Sequence, residues 1–292
     1  MDFKCIVCNG RKSELISPKT RDSRQKIVKC SNCQLLQILP LPNEIEEKNF
    51  YDKDKQTKLI FKKISIKNLE KRTEADTQRR VEKIKKILSA GARILDVGCD
   101  YGFLVRDLNK NNYHCTGLEI SIERRRIAKK VTKTNISSQK ITGANQSPIR
   151  YDAITLFHVL EHITNPIQLC QNIKTYLGPK GVLIIEVPNI KDYMLISSRP
   201  YFDFFWQKAH VSYFSPMTVH KVLKKAGYKK IKIIGVQRYS FENAINWLKV
   251  GKPQLDLPTY HTTKELDWLE NYYKNYLEQK LICDTLWVEA NV

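Results

Sequence analysis

The chain has 292 residues, 42% of them hydrophobic, with 50 Lys+Arg against 30 Asp+Glu for a formal net charge of +20. That apolar share excludes wholesale disorder, no apolar run approaches the roughly 18 residues of a membrane-spanning helix, and Met1-Asp2-Phe3-Lys4-Cys5 does not read as a secretory signal. The expectation is a soluble, cytoplasmic globular protein with no membrane contact, and the charge invites a phosphate-bearing partner.

Four of the eight cysteines come first, in two identical steps, Cys5-Ile-Val-Cys8 and Cys30-Ser-Asn-Cys33, with 21 residues between them. Each step suits a tight knuckle, the loop lets the second knuckle fold back on the first, and a reducing compartment favours metal over cystine. Cys5, Cys8, Cys30 and Cys33 are therefore the expected Zn2+ ligands. An all-sulfur set is closed, which makes the ion structural. Leu39-Pro40-Leu41-Pro42 ends this zinc-binding module, taken as 1–43. A charged helical linker is expected over 44–90, with apolar positions at Val81, Ile84, Ile87 and Leu88 and a stop at Ala90-Gly91.

From 91 onward, short apolar runs alternate with helical stretches. Strands are expected at 93–97, 113–120, 152–159 and 181–187, and helices at 103–111, 122–131 and 166–177. Repeated β-α-β units predict an α/β fold, a Rossmann-like parallel sheet with helices on both faces. An irregular aromatic stretch (190–214), a helix at 216–226, a strand at 230–237, a mainly helical 241–282 and a last strand at 285–290 complete the chain. Cys99, Cys115, Cys170 and Cys283 lie in apolar contexts and read as core; so, by default, do most of Trp206, Trp247, Trp268 and Trp287.

The central motif is Leu95-Asp96-Val97-Gly98-Cys99-Asp100-Tyr101-Gly102, at the junction of a strand and a helix, with Glu119 ending the next strand. Gly98 and Gly102 let the backbone approach a ligand at the carboxyl edge of the sheet, and Glu119 can accept both hydroxyls of a ribose. A dinucleotide loop needs G-x-G-x-x-G to seat its pyrophosphate. Here the glycines are spaced G-x-x-x-G behind Asp96, an acid badly placed for pyrophosphate and well suited to the cationic amino group of a methionine moiety.

These residues resemble the class I S-adenosylmethionine-dependent methyltransferases over roughly 75–292. Asp96 to Gly102 resembles their D-x-G-x-G-x-G loop, with Asp100 where the middle glycine stands, and Gly117-Leu118-Glu119 their ribose-binding motif. Tyr151-Asp152-Ala153-Ile154 with Phe157-His158-Val159-Leu160-Glu161-His162 resembles the fourth-strand motif, and Leu177 to Leu183 the turn before strand five. The resemblance implies a seven-stranded sheet with the last strand antiparallel between strands five and six. It also implies S-adenosylmethionine as cofactor, with Asp96, Gly98, Cys99, Asp100, Gly102, Glu119, Ile120, Asn145, Phe157 and His158 around it. Asn145 stands in for the acid that usually meets the adenine. A narrower resemblance joins the four-Cys methyltransferases of sugar, polysaccharide and natural-product pathways through His210-Val211-Ser212-Tyr213-Phe214-Ser215, Gln237-Arg238-Tyr239, Asn243 and Trp247. It implies a methyltransferase domain over 91–292 in which 239–283 is a helical, lid-like insertion across the active face.

An oxygen or carbon acceptor must lose a proton during methyl transfer, so a base is expected. His158, Glu161 and His162 follow strand four, and His210 and Tyr213 follow strand five, all on the active edge. His162 and His210 are the leading bases, and Arg238, Tyr239 and Asn243 are candidate substrate contacts. The leading reading is methylation of a small polar acceptor, sugar or nucleotide-linked and of anionic character. The alternative is an RNA methyltransferase. Residues 9–29 of the Cys module hold no Phe, Tyr or Trp to stack on bases, which disfavours RNA. The basic excess is uneven, with 14 basic against 5 acidic side chains in 53–93 and six Lys without an acid in 221–232.

Overall fold

The computed structural model describes residues 3–43, 65–143, 149–252 and 264–292. The expected linker residues 44–64, the adenine-side Asn145 and residues 253–263 of the expected insertion lie outside the described residues.

Each C-x2-C step folds the same way. The amides of Cys5 and Cys30 donate to the carbonyls of Gly10 and Leu35, both at 2.9 Å, and Asn9 and Gln34 donate back to Cys5 and Cys30, both at 3.0 Å. Each knuckle is closed by a residue at positive φ, Asn9 at 59° and Gln34 at 68°. The knuckles lie at the ends of β1 (Ser13–Ser17), β2 (Lys26–Cys30) and β3 (Leu36–Leu39), an antiparallel run whose fourth strand is β9 (Ser212–Tyr213) from far along the chain. This sheet does not stand apart. Cys5, Val28 and Leu35 share one buried cluster with Val219 and Leu223 of helix Pro216–Lys225, and Lys225 caps the Val7 carbonyl at 3.0 Å.

The second sheet has seven strands in the order β10-β11-β8-β7-β4-β5-β6: Lys230–Val236, Thr285–Asn291, Leu177–Pro188, Tyr151–Phe157, Arg93–Val97, His114–Leu118 and Ile136–Ser137. The last strand, β11, runs antiparallel between β8 and β10, and the strands from β8 to β6 are parallel, as the sequence implied. Buried runs such as Ile94 and Leu95, Ile154 and Leu156, and Leu183 to Ile185 fill both faces of the sheet. Its helices are α1 (Ile66–Lys85), α2 (Phe103–Lys110), α3 (Ile122–Thr132), α4 (Pro166–Lys174), α5 (Met194–Ser197), α6 (Arg199–Phe205), α7 (Pro216–Lys225), α8 (Phe241–Val250) and α9 (Asp267–Gln279). Side-chain caps start several of them: Ser121 on α3, Asn165 before Pro166 on α4, Ser215 in a capping box on α7 and Ser240 on α8.

Two expectations change. The aromatic stretch 190–214 is not irregular: Pro200 at a helix start and the Ser198 cap organise α6, and Ser212 and Tyr213 join the Cys sheet. Helix α4 ends at Lys174, three residues early, because β8 already begins at Leu177. In keeping with the expectation that most of the tryptophans are core, Trp206, Trp247 and Trp287 are buried, and Trp268 is 67% exposed on α9.

Helix α1 is fastened to the sheet by charge. Glu186, near the carboxyl end of β8 and fully buried, is held by Arg79 and by Arg80 Nε at 2.6 Å. The register places Glu186 beside Phe157 on one side and Trp287 on the other, and those two rings stack at 5.4 Å with Arg80 lying over Phe157. Burial pushes the Glu186 carboxyl up, yet the two arginines outweigh it and hold it down at about 2.

Candidate active site

At the carboxyl ends of β4, β7 and β8 lies a cavity of about 680 Å³, walled also by α1, α6, α8 and Arg21 from the Cys sheet. Asp96 reaches it from the end of β4 and is 3% exposed. It lies opposite Thr155 in the β4–β7 register, so the Thr155 hydroxyl donates to Oδ1 at 2.6 Å. Burial pushes its carboxyl up to about 6, against that hydrogen bond and the pull of Arg80.

The loop after Asp96 turns through three positive φ angles: Gly98 at 75°, Asp100 at 51° and Gly102 at 78°. A Cβ on Gly98 would stand 2.5 Å from Val159 Cγ2, so the loop needs a glycine there in order to pack on the segment after β7. Asp100 takes the left-handed conformation that its glycine counterpart would take, which Asp tolerates better than most residues. Its amide donates to Glu119 Oε2 at 3.0 Å and its carboxylate pairs with Arg124 at 3.3 Å. Glu119 also accepts from Ser121 through Oε1 at 2.8 Å. Glu119 thus braces the loop from beneath, and neither it nor the 40% exposed Ile120 is on the cavity wall, whereas Cys99, Asp100, Phe157 and His158 are.

The histidines after β7 are fixed by their partners. Arg238 Nη1 lies 3.1 Å from His158 Nε2, and a guanidinium can only donate, so Nε2 is the acceptor and Nδ1 carries the proton. That proton goes to Glu161 Oε1 at 3.2 Å. Both ring nitrogens of His158 are committed, which makes it a positioning residue, not a base; it holds that place at a φ of 56°. His162 donates Nδ1–H to the Ala209 carbonyl at 2.7 Å and meets the His210 ring edge-on at 5.0 Å. His210 lines the cavity with the Gln207 amide against both of its nitrogens, at 2.8 and 3.4 Å, so no tautomer is fixed there. Burial among other imidazoles holds His210 down at about 3. Tyr213 departs from the catalytic expectation. Its hydroxyl donates to the Gln207 carbonyl and accepts from the Gln207 amide, and it lies behind the wall as a prop for that turn.

Arg238 also departs from expectation. Its guanidinium is engaged bidentately by Asp76 of α1, so it is a neutralised strut and not an open anion contact. Arg238, Tyr239 and Asn243 all line the cavity. Asp76, Arg80 and Arg21 were not among the sequence candidates. All three lie before the methyltransferase motifs, in segments whose many charges give no signal for which side chain turns inward. Arg21 spans the gap from the Cys sheet, donating to the Phe204 carbonyl at 3.2 Å and to Gln207 Oε1 at 2.8 Å.

At the other end of the Cys sheet, Cys5 and Cys33 sulfurs are 3.4 Å apart, Cys8 and Cys30 3.5 Å, and all four lie within 4.8 Å of one another. These separations are too long for a disulfide at about 2 Å and close to the roughly 3.8 Å edge of a tetrahedron built on Zn–S bonds of about 2.3 Å.

The seven-stranded order, the antiparallel β11 and the Asp96–Gly102 loop define the class I S-adenosylmethionine-dependent methyltransferase architecture. A family model described as a methyltransferase domain matches residues 69–233, more than half of the chain, and the chain belongs to that family. The match begins inside the stretch read from sequence as a linker. Among curated proteins, the ubiquinone biosynthesis O-methyltransferase of Colwellia psychrerythraea is 33% identical over 111 residues, 35% of this chain and 45% of that protein. That of Aeromonas salmonicida is 30% identical over 105 residues, 34% and 44%. The chain spans about half the length of the curated relatives it matches. Among solved structures, a SAM-dependent methyltransferase from Archaeoglobus fulgidus superposes with a TM-score of 0.53 at 16% identity, over 78% of this chain and all of that one. Magnesium protoporphyrin IX methyltransferase from Synechocystis, solved with bound SAH, gives 0.53 at 12% identity, over 86% and 100%.

Proposed function

We propose that this protein transfers the methyl group of S-adenosylmethionine to a small polar acceptor, a sugar or nucleotide-linked molecule, inside this cavity. The observation that carries the reading is Asp96, a buried carboxylate on the cavity wall whose one hydrogen bond is to a neutral hydroxyl and whose ionised form lacks a bonded cation. An ammonium group is the ligand such a carboxylate wants.

S-adenosylmethionine, when bound, supplies the activated methyl group; the chain's part is to align acceptor and methyl in line and to keep water out. Asp96 and the 98–102 backbone would hold the methionine arm, with Cys99, Asp100 and Phe157 at its flanks; Asn145 would serve the nucleoside side, and Glu119 would act through the loop that it braces. His158 positions Glu161, and the His162–His210 pair marks the proposed place where the acceptor loses its proton. The curated relatives, named for O-methylation, are in keeping with an oxygen acceptor. In this reading 1–43 is the zinc module, its four thiolates holding a structural Zn2+; 44–90 links it to the catalytic domain, and 239–283 covers the acceptor.

Titration calorimetry with S-adenosylmethionine tests the reading. Wild type should bind, and Asp96→Asn should weaken binding at least tenfold. No binding by wild type, or equal affinity in the variant, overturns it.

A further inference from the structure

We propose that Glu161, His162 and His210 form a second metal site, for a divalent transition ion of the zinc class, at the acceptor end of the cavity. The role given to the ion rests on the methyltransferase reading of this cavity, but its binding does not.

Glu161 is 1% exposed, and its Oε2 is buried with no hydrogen-bond partner, while Oε1 receives a single N–H from His158. A buried carboxylate oxygen left without a donor is uncommon and calls for a cation or a donor that the protein does not itself supply. Two imidazoles stand beside it. One ligand atom from each of Glu161, His162 and His210 lies within 4.8 Å of the other two, and all three residues line the cavity.

His162 is held as metal-bound imidazoles usually are, with one ring N–H donated to a backbone carbonyl. The frame is rigid. Glu161 and His162 share the 3-10 turn Leu160–His162, and the Val211 amide donates to the Glu161 carbonyl at 2.8 Å, which fixes His210 next to that turn. Two nitrogens and one carboxylate suit Zn2+ or a neighbouring transition ion, not Mg2+ or Ca2+, which want oxygen. Three protein ligands leave a position open, unlike the closed four-Cys cluster. An acceptor hydroxyl in that position would lose its proton more readily.

Counting metal on the full-length chain tests this. Protein stripped with chelator is reloaded with Co2+, and bound metal is measured against protein. Wild type should hold two equivalents: one with the strong thiolate-to-cobalt charge-transfer absorption of the Cys cluster, one without it. Glu161→Gln and His210→Ala should each remove the second equivalent and keep the thiolate band, which also reports that the variant has folded. A single equivalent carrying the thiolate band in wild type overturns the proposal, as does a second equivalent that survives both substitutions. S-adenosylmethionine binding is titrated separately, so failure of the cofactor reading would leave the metal count unchanged.

Discussion

Asp96→Asn should make the ligand-free protein more stable while making it a poorer enzyme. The carboxyl is 3% exposed, and burial lifts it from its ordinary 3.8 to about 6. The folded state therefore binds the proton more tightly than the unfolded chain, and stability falls as pH rises through the window from about 4 to 6. Above that window the full penalty of a buried, unpaired anion is present, about 3 kcal/mol for a rise of that size. Asn has the same shape and keeps an acceptor for the Thr155 hydroxyl, so the substitution removes the charge and little else. Urea unfolding at pH 7.5 should find the variant about 2–3 kcal/mol more stable, with the advantage shrinking through pH 6 and gone near pH 4. In wild type, cofactor affinity should weaken about tenfold per pH unit below 6, as the ammonium loses its anion. A variant less stable than wild type at pH 7.5, or a difference that does not change with pH, would refute the reasoning.

Other parts of the structure give further expectations. Asp76→Ala strands the Arg238 guanidinium; breaking such a pair costs about 3–5 kcal/mol when fully buried, and with side chains 19% and 23% exposed the loss should be about 2–3. A change below about 1 kcal/mol in urea unfolding would mean that the strut carries no load. Gly98→Ala puts a methyl 2.5 Å from Val159 Cγ2 at a φ of 75°, costing about 1–3 kcal/mol. Adding Val159→Ala should recover the steric part and not the backbone part, so purely additive unfolding energies would contradict the contact. Cys5→Ser should abolish zinc binding at the four-Cys cluster and lower the melting temperature; elemental analysis finding that cluster still fully loaded would remove the zinc reading.

What could be read from the sequence divides along a physical line. The β-α alternation and the Asp96–Gly102 loop are local patterns, set by side-chain period and by backbone angles that only a few residues tolerate, and they emerged close to the expected positions. The tautomer of His158 was not legible, because it depends on Arg238, eighty residues further on, and on Asp76 behind that. Nor was the role of Tyr213, whose hydroxyl is claimed by the backbone of Gln207. Helix α1 was recognised as a charged helix, but its period could not say that Asp76, Arg79 and Arg80 face a buried Glu186 and Arg238 while their neighbours face water.

The net charge takes on a different meaning at the cavity. Arg21, Arg72, Arg80, Arg124 and Arg238 line it, as do Asp76, Asp96, Asp100, Glu161 and Asp284, and among the described residues no lysine does. The wall is thus formally balanced although the chain carries +20. Lysine, a strongly hydrated point charge, stays outside, and arginine, whose planar fork can be fixed by two acceptors at once, is the cation brought inward. Arg238 is spent on Asp76, and Arg80 is spent on Glu186. Arg21 is spent on neutral oxygens only, with no carboxylate in ion-pair range among the described residues. Its position also has a structural guarantor. It sits in the β1–β2 loop of the Cys sheet, which the knuckles close at one end and β9 stitches to the Gln207–His210 turn at the other. An anionic acceptor would therefore be met by a guanidinium that the four-Cys cluster helps to hold. That would tie the four-Cys knuckles to acceptor recognition more directly than the total charge does.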